Sequence, residues 1–473
     1  YNRIVQKPLS DKETNAMPIV SQNTENQNGI TSSINCFFSH YKLGSLLFRC
    51  GAGKEKGIPV MQVFRYLISL MFEERSMYMQ LHLGTFREDF AKNTVYRFLQ
   101  NPKINWQKFT ALLSSRIVNG FLRKLTDGKR VEVFIADDSL YDRSRAKKVE
   151  LPSNVFDHCT HRYRKGFRLL TLSWSDGSTL LPINGCLLSS TEGKNRYQEQ
   201  RTFDRRTLAA KRRTQSQTKS NDVLLQLVDQ AKTAGLTAEY MLFDSWFAMP
   251  VTIQAVRKRG LDTIAMVKKS SRISYGYGGK SLNIKEIYSR NRKRRGRSKY
   301  LLSVGVALGK EDPIPARLVY VRNRNNRKDW LALICTDMSL SEEEIIRIYG
   351  RRWGIEVFFK TCKSYLRLTR ECHSLSYDSM TAHTAIVFVR YMILAVSRRQ
   401  NADYRSLGEI FFFMYDEAKD ISFDDSMQIL LEALFDTILE VFHPSDDQLK
   451  EFISSFIEKL PDYMQSALRS PAA

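Results

Sequence analysis

The sequence predicts an α/β fold with a mixed β-sheet, a mostly β insertion, and helical regions before and after the sheet. Three observations support this fold class. Residues 131–188 contain three strand-like runs, and two of them are joined by a hairpin signal. Helix-and-strand units follow up to residue 269. Residues 270–337 are again rich in strand-like runs but do not continue the alternation.

The first part of the sheet is predicted to be antiparallel. An apolar strand over residues 131–136 is expected to end at Asp137. A second strand, at about residues 167–174, meets a third, at about residues 179–188, through Ser175-Asp176-Gly177-Ser178. Asp-Gly between two apolar runs is a strong hairpin signal, so these two strands are expected to pair.

The second part of the sheet is predicted to form through helical crossovers. An amphipathic helix over residues 222–234 leads to a short strand, 240–243, which ends at Asp244. A further helix leads to a strand at residues 263–267. Ligands of such sheets gather where strands end, so Asp137 and Asp244 are candidate site residues.

The charge of the chain predicts a polyanionic partner. The 473 residues carry 73 Lys and Arg against 50 Asp and Glu, a net charge of +23. Residues 401–473 are acidic, with a net charge of −10, so the first 400 residues carry +33. Basic residues concentrate in residues 194–219 and 290–299. Such a positive field favours binding to nucleic acid, although a generically basic protein would show the same balance.

Composition also limits the class of protein and its compartment. A hydrophobic content of 43% is typical of a folded protein rather than a disordered one. The apolar stretch from Ala385 to Val396 is interrupted by Arg390 and is too short to span a bilayer, so no membrane partner is expected. Seven cysteines without a Cys-x-x-Cys pair are typical of a reducing compartment, which favours a cytoplasmic location.

The chain divides into six predicted segments. They are a flexible polar arm (1–36), a helical region that is a candidate for DNA binding (37–128), the first part of an α/β domain (129–269), a β insertion (270–337), a second part of that domain (338–391) and an acidic helical C-terminal region (392–473). Within the N-terminal helices, Asn93–Leu99 is either the second helix of a helix-turn-helix or one helix of a bundle.

One predicted helix, beginning near Ser341 with a capping box to Glu344, carries an unusual set of side chains. On an α-helix, Tyr349, Arg352, Glu356 and Lys363 would lie within roughly 60° of one another. A carboxylate flanked by two cations and a phenol suits a phosphate held beside a metal-binding group. An ordinary basic helix would give the same spacing, so periodicity alone leaves both interpretations open.

These residues resemble a known family. The pattern Tyr349-x2-Arg352-x3-Glu356-x6-Lys363 resembles the Y-R-E-K signature of bacterial insertion-sequence transposases of the DDE superfamily. Asp137-x-Ser139 and Asp244-Ser245-Trp246-Phe247, each expected at the end of a strand, resemble the two motifs that precede it. The resemblance covers residues 131–366.

The resemblance implies a ribonuclease-H-like core in which Asp137, Asp244 and Glu356 are the catalytic carboxylates. They would bind two Mg²⁺ or Mn²⁺ ions, and hard divalent cations do prefer carboxylate oxygen. Asp138 is an alternative first acid. The D-x-Ser pattern of the family favours Asp137.

The same resemblance implies contacts with double-stranded DNA. Tyr349, Arg352 and Lys363 would contact phosphates at the transposon end. Trp330 would stack on a flipped base if excision passes through a DNA hairpin, or would only pack the β insertion. Other contacts to the DNA backbone are predicted in the two basic segments, at Arg212, Arg213, Arg292, Arg294 and Arg295.

The implied function is a cut-and-paste transposase that acts as a homodimer on paired inverted repeats in the bacterial cytoplasm. Two alternatives remain open at this point. One is a nuclease or resolvase on the same fold that does not transfer strands, and the other is a catalytically silent DNA-binding relative.

Overall fold

The structure is a computed structural model. It describes residues 34–54, 56–70, 76–84, 86, 88–126, 130–157, 160–294, 298–309, 312–323, 326, 329–401 and 445–459. Most of the acidic C-terminal region and the N-terminal arm therefore lie outside the described residues.

The described residues form eleven strands that belong to one sheet. The strands are β1 (Val133–Asp142), β2 (Ser153–Asp157), β3 (Arg162–Ser175), β4 (Leu180–Leu188), β5 (Tyr240–Phe243), β6 (Asp262–Met266), β7 (Tyr275–Tyr277), β8 (Lys280–Leu282), β9 (Leu302–Leu308), β10 (Ile314–Arg322) and β11 (Trp330–Cys335).

Helices lie before, between and after these strands. Those used below are α1 (Leu43–Leu47), α2 (Val60–Ser69), α3 (Met77–His82), α4 (Lys92–Leu99), α5 (Trp106–Gly120), α6 (Leu208–Ser216), α7 (Ser220–Thr233), α8 (Pro250–Arg257), α9 (Ile284–Arg290), α10 (Glu342–Gly350), α11 (Gly354–Ser364), α12 (Tyr377–Asn401) and α13 (Asp446–Lys459).

The sheet is mixed, as predicted. Its order is β2-β3-β1-β5-β6-β11-β10-β9-β7-β8, and β4 also pairs with β3. The β1–β5 and β5–β6 pairs are parallel, whereas β1 and β3 are antiparallel. The predicted hairpin joins β3 to β4, and Gly177 supplies the positive φ of 90° that its turn requires. This architecture agrees with the ribonuclease-H-like fold that the resemblance implied.

The first strand is longer than predicted. It does not end at Asp137 but continues to Asp142, because β3 pairs with it along its whole length, as far as Gly166. Its parallel pairing with β5 covers only Val133–Ile135. Asp137 therefore lies inside a strand, just past the point where β5 stops pairing with it.

The predicted β insertion is joined directly to the core sheet. Strand β11 pairs antiparallel with β6, through Leu333↔Met266 and the next two residue pairs. Its three longer strands, β9, β10 and β11, agree with the strand-rich character expected of this segment, whereas β7, β8 and α9 were not predicted. Strands of three residues are too short to show a periodicity.

The N-terminal helices pack on the sheet rather than apart from it. In α5, Gln107 Nε2 donates a hydrogen bond to the Gly185 carbonyl (2.9 Å), and Ser114 Oγ donates to the Pro182 carbonyl (2.6 Å). In α4, Phe98 is buried against the Trp106 ring. The opposite side of α4 is exposed, so a DNA-reading role for this helix stays a prediction.

Helix α12 runs through the core. By length and composition, residues Tyr377–Arg399 could cross a membrane, which differs from the shorter apolar stretch expected from the sequence. However, 78% of its most apolar window is buried inside the protein. The fully buried Arg390 guanidinium is paired with Glu371 at 2.8 Å. These contacts are typical of a core helix.

Candidate active site

Two of the predicted acids lie side by side on the sheet. Ile135 of β1 is paired with Leu242 of β5, and the strands are parallel. Two residues further along the chain from each of these positions, this register brings Asp137 beside Asp244, which directly follows β5. Burial raises the pKa of Asp137 to about 7; Arg352 opposes this shift, and the nearby charges of Asp244 and Asp138 add to it.

The residues after β5 form a short turn that fixes Asp244. Its Oδ1 accepts a hydrogen bond from the backbone N–H of Trp246 (2.9 Å). Phe247 is buried and contacts the ring of Phe243 at a centroid distance of 6.4 Å. Residues 244–247 therefore place a carboxylate at the end of the central strand β5 and an aromatic ring in the core.

The helix that carries Glu356 is interrupted. Helix α10 begins with the predicted capping box, but it ends at Gly350, and a 3₁₀ turn over Arg351–Trp353 precedes α11. The Arg351 guanidinium donates a hydrogen bond to the carbonyl of Val131, just before β1. This contact holds the junction of the two helices against the sheet.

Arg352 joins the helix to the sheet. Its guanidinium donates to Asp137 Oδ2 (2.8 Å) and to Glu356 Oε1 (2.5 Å). The side chains of Arg352, Asp137 and Glu356 are 14%, 15% and 36% exposed. Burial disfavours the charge of Arg352, but Tyr349 and the two carboxylates outweigh it and raise its pKa. Glu356 is thus connected to the acids of the sheet through a cation.

Tyr349 and Lys363 have different positions in this cluster. The Tyr349 ring lies 6.0 Å from the Arg352 guanidinium carbon. Burial raises the pKa of its phenol to about 12, with Arg352 lowering it and Asp244 raising it. Lys363 is half-buried in the last turn of α11. Tyr349 and Glu356 therefore both lie near Arg352 despite the interruption, and the place of Lys363 on the same face stays a prediction.

The two adjacent aspartates have different partners. Asp138 forms an ion pair with Arg168 of β3, with 2.6 Å between Oδ2 and Nη2. The Arg168 guanidinium also lies over the Trp246 ring, 4.8 Å from its centroid. Sequence reasoning missed Arg168. A charged residue inside the apolar run of β3 was the signal, because such a residue needs a partner when partly buried.

A comparison with protein families is consistent with this geometry. A family model described as DDE superfamily endonuclease matches residues 65–302, which is half of the chain and includes both Asp137 and Asp244. The chain belongs to the DDE superfamily of endonucleases. A search of curated proteins finds no significant match. Because the chain belongs to this family, its function is of the nuclease or transposase type and acts on DNA. Glu356 lies beyond the matched residues.

DDE endonucleases work with divalent metal ions, and the cluster fits such ions in its chemistry and charge. Its oxygen donors are those that Mg²⁺ and Mn²⁺ prefer. The pKa of Asp137 is raised by burial and by the nearby carboxylate of Asp244, and a bound cation would offset the repulsion between these two carboxylates. In the part of the chain that the structure describes, no group of three or more His, Cys, Asp or Glu side chains is close enough to hold a metal ion. The Arg352 guanidinium lies between Asp137 and Glu356 instead.

Trp330 lies in an aromatic cluster of the predicted insertion. Its ring stacks on Tyr288 at a centroid distance of 4.7 Å and meets Tyr320 edge-on at 5.1 Å. The Lys269 ammonium lies 4.4 Å from the same ring. The ring is half-buried. These contacts correspond to the packing role that the sequence left open, and stacking on a flipped base stays a prediction.

Two of the arginines predicted to contact DNA form an internal ion-pair network. The Arg213 side chain is 1% exposed and pairs with Glu150 (2.6 Å) and Asp378 (2.8 Å). Arg212 also pairs with Asp378, at 2.5 Å. Their partners are remote in sequence, so the basic run around them resembled a surface patch. Arg212 and Arg213 are therefore not the DNA contacts that the sequence predicted, because their guanidinium groups form ion pairs with buried carboxylates.

Two of the other predicted DNA contacts follow α9 in the described part of the chain. Arg292 and Arg294 are exposed, and Arg294 lies over the Tyr300 ring at 4.3 Å. Arg295 falls outside the described residues. The exposed pair remains available for contacts with DNA phosphates.

Proposed function

We propose that this DDE endonuclease is a cut-and-paste transposase that cleaves the ends of a DNA element and joins them to target DNA. Asp137, Asp244 and Glu356 are its catalytic carboxylates in this proposal. The observation that carries it is the convergence of β1, β5 and α11, in which Asp137 is beside Asp244 and bonded through Arg352 to Glu356.

The carboxylates would hold two Mg²⁺ or Mn²⁺ ions. Bound there, the ions would activate the attacking water or 3′-hydroxyl and stabilise the leaving oxygen of the phosphodiester. The chain supplies the arrangement of the acids. Strands β1 and β5 keep two of them adjacent, and the α10–α11 junction, hydrogen-bonded to Val131, holds Arg352 and Glu356 against the sheet, with Arg352 bonded to Asp137 and Glu356. No protein nucleophile is required.

Arg352 has a further role in this proposal. Its guanidinium is bonded to both Asp137 and Glu356, and it is also the cation that the family pattern assigns to a DNA phosphate. A guanidinium binds phosphate in the same forked geometry as carboxylate. Arrival of the DNA end would therefore draw Arg352 away from the two acids and leave their oxygens to the metal ions.

The remaining DNA contacts follow the same assignment. Tyr349 and Lys363 would contact phosphates of the transposon end beside Arg352. Arg292, Arg294 and Arg295 would hold the DNA backbone without reading its sequence. The N-terminal helices would read the end sequence, and two copies of the chain would pair two ends as a homodimer.

The test uses linear DNA that carries the sequences flanking the coding region, Mg²⁺ or Mn²⁺, and a supercoiled plasmid as target. Asp137→Asn, Asp244→Asn and Glu356→Gln should each lower cleavage at least about 10³-fold, or about 4 kcal/mol in activation free energy. Each variant should still bind the DNA. Asp222→Asn, an exposed acid in the first turn of α7, is the matched control and should cleave normally.

The products separate this proposal from its alternatives. Ends joined to the plasmid indicate a transposase, and hairpin-capped flanks would add the hairpin route. Nicked or broken ends that never join would indicate a nuclease or resolvase instead. Cleavage that is unchanged in all three acid variants would refute the assignment of the site.

A further inference from the structure

Strand β1, which carries the first acid, extends together with β2 and β3 past the edge of the sheet where the acids lie. Strand β5 pairs with β1 only as far as Ile135, and β4 pairs with β3 only as far as Arg168. Beyond these points β1 continues to Asp142, and β3 pairs with β1 and β2. Residues 143–168, which we call the basic ribbon, therefore extend the sheet on the side that holds Asp137.

The basic ribbon carries a large excess of positive charge. Residues 143–168 contain eight Lys or Arg and two acids, Glu150 and Asp157. Glu150 is buried and paired with Arg213, so it does not offset the charge of the surface. The exposed cations of the ribbon are Arg145, Lys147, Lys148 and Arg162. A local excess of positive charge of this kind favours the binding of a polyanion.

The loop that carries three of these cations is held against β3. The backbone N–H of Arg143 donates a hydrogen bond to the Lys165 carbonyl (2.8 Å), and the Lys165 ammonium donates one to the Ala146 carbonyl (2.6 Å). Lys147 and Lys148 follow directly and are exposed. Their backbone is therefore fixed relative to the sheet, and little ordering of the chain is needed when a ligand binds.

Two aromatic side chains are exposed further along the ribbon. Phe156 of β2 lies opposite Tyr163 of β3, and their ring centroids are 5.3 Å apart. Their exposed fractions are 39% and 71%. Exposed large apolar side chains that lie together mark an interaction surface, and aromatic residues are enriched in such surfaces. The surrounding cations indicate that the partner is acidic.

The register of the strands gives the distance from the acids to the ribbon. Asp142 lies five residues beyond Asp137 on β1, and Tyr163 lies three residues beyond Gly166, which is the partner of Asp142. At about 3.3 Å per residue, Asp142 is roughly 17 Å and Tyr163 up to about 26 Å from Asp137. Successive phosphates of one DNA strand rise about 3.4 Å, so these distances correspond to about five to eight base pairs of a duplex.

The ribbon and the basic residues of the β insertion lie on opposite sides of the acids. In the order of the sheet, β2 and β3 come first, and β9, which follows Arg292 and Arg294 in the chain, lies towards the other end. Asp137 on β1 and Asp244 after β5 lie between them. A duplex that crosses the acids in the direction of this order would therefore meet positive charge on both sides.

We infer that the basic ribbon holds the backbone of duplex DNA about five to eight base pairs from the scissile phosphate. The inference rests on the proposed function, because it requires a scissile phosphate at Asp137 and Asp244. Lys147 and Lys148 contact phosphates of this segment. Such contacts fix the position of the duplex and do not read its sequence.

The first test measures how salt weakens binding to a duplex of unrelated sequence, with Ca²⁺ in place of Mg²⁺. Each phosphate contact contributes about 0.9 to the slope of log K against log salt concentration, so Lys147→Gln with Lys148→Gln should lower this slope by about 1–2. Both side chains are exposed, and the unfolding temperature of this double variant should be unchanged.

Lys232→Gln with Lys258→Gln is the matched control. Both lysines are exposed, and they lie at the ends of α7 and α8, in the segments that lead to the starts of β5 and β6. They are therefore at the edge of the sheet opposite the acids. This double variant should give the slope of the unchanged protein.

The second test measures the position of the contact. It compares duplexes with the cleaved end sequence that extend about three or about twelve base pairs beyond the scissile phosphate, on either side. The unchanged protein should bind the longer duplex about tenfold more tightly when the extension is on one of the two sides. The variant at Lys147 and Lys148 should lose most of this difference, whereas the control variant should keep it.

Three results would overturn the inference. The first is a normal salt slope and a normal response to duplex length in the variant at Lys147 and Lys148. The second is a lower slope with single-stranded DNA alone, which would assign the ribbon to a different ligand. The third is normal binding by a variant that aggregates, because charged side chains also protect an edge strand such as β2 from pairing with other chains.

Failure of this inference can be distinguished from failure of the proposed function, because the salt slope requires no cleavage. A normal slope in the ribbon variant, together with cleavage that depends on Asp137, rejects the ribbon and keeps the catalytic assignment. A lower slope, together with cleavage that does not depend on Asp137, keeps the ribbon as a DNA contact. That second result rejects the catalytic assignment and, with it, the inferred distance.

Discussion

Two arginines in this protein each bridge two carboxylates, and their surroundings differ in charge balance. Arg213, together with Arg212, meets Glu150 and Asp378, so two cations face two acids in a site that is 1–3% exposed around Arg213. Arg352 pairs with Asp137 and Glu356, with Asp244 nearby, in a cluster up to 36% exposed.

This difference is the one expected between an ion-pair network that stabilises the fold and a cluster that serves the proposed function. A buried network with balanced charge and satisfied hydrogen bonds has no use for a further ion. The cluster at Arg352 has an excess of acid and reaches solvent, so it can accept positive charge. Strongly perturbed carboxylates in such a position are typical of functional sites. Four measurements test whether the two arginine clusters differ in this way.

Removal of Arg213 should give the largest change in stability. Arg213→Met leaves Glu150 and Asp378 buried with too little positive charge, which should lower the free energy of unfolding by about 3–5 kcal/mol. Chemical denaturation measures this change. Arg206→Met, which removes an exposed arginine paired with Asp204, is the control and should have no measurable effect. Equal stability of the two variants would remove the structural role of the network.

The pH dependence of stability should carry a contribution from Asp137. Its pKa is raised to about 7 in the folded protein and lies near 4 in an unfolded chain. Between these values the folded protein binds more protons at this group than the unfolded chain, so this contribution falls by up to a few kcal/mol as pH rises from 4 to 7. Denaturation of Asp137→Asn across this range should lack that fall.

A second buried group, His383, has the opposite effect on the pH dependence of stability. The pH profile of the unchanged protein is therefore compared with that of a variant. Burial lowers the pKa of His383 to about 4, so its contribution to stability rises with pH between about 4 and 6.5. The difference between the unchanged protein and Asp137→Asn cancels this effect. If the two proteins share one pH profile, the raised pKa of Asp137 is wrong.

Removal of Arg352 should lower the stability less than removal of Arg213 does, and a bound metal ion should restore the lost stability. Arg352→Gln leaves Asp137 and Glu356 without their shared cation, and we expect a loss of about 1–2 kcal/mol in metal-free buffer. Mn²⁺ should restore the unfolding temperature, because binding to the folded state alone stabilises it. Arg213→Met should show no such repair. A response to Mn²⁺ that is the same in both variants would contradict the contrast.

The smallest effect is expected at Asp138. Arg168 already neutralises this carboxylate, so Asp138→Asn should lower cleavage less than about tenfold, or about 1.4 kcal/mol. Asp137→Asn should lower it at least a hundred times more. The reverse order in a cleavage assay would make Asp138 the first catalytic acid.

Much of the fold and the candidate acids could be predicted because their signals are local. The strand at Tyr240–Phe243, the hairpin at Gly177 and the capping box at Ser341 each depend on a few adjacent residues. The family motifs marked Asp137, Asp244 and Glu356 for the same reason. Predictions became weaker wherever the partner of a residue was distant in the chain.

The sequence by itself determined the order of the longer strands and helices around the candidate acids, the positive charge and the chemistry that three acids can perform. Only the tertiary structure decided which carboxylate each arginine meets. Arg213 finds Asp378 across 165 residues, and Arg352 finds Asp137 across 215. The physical reason is that burial and ion pairing depend on surfaces that come together only when the sheet and helices pack.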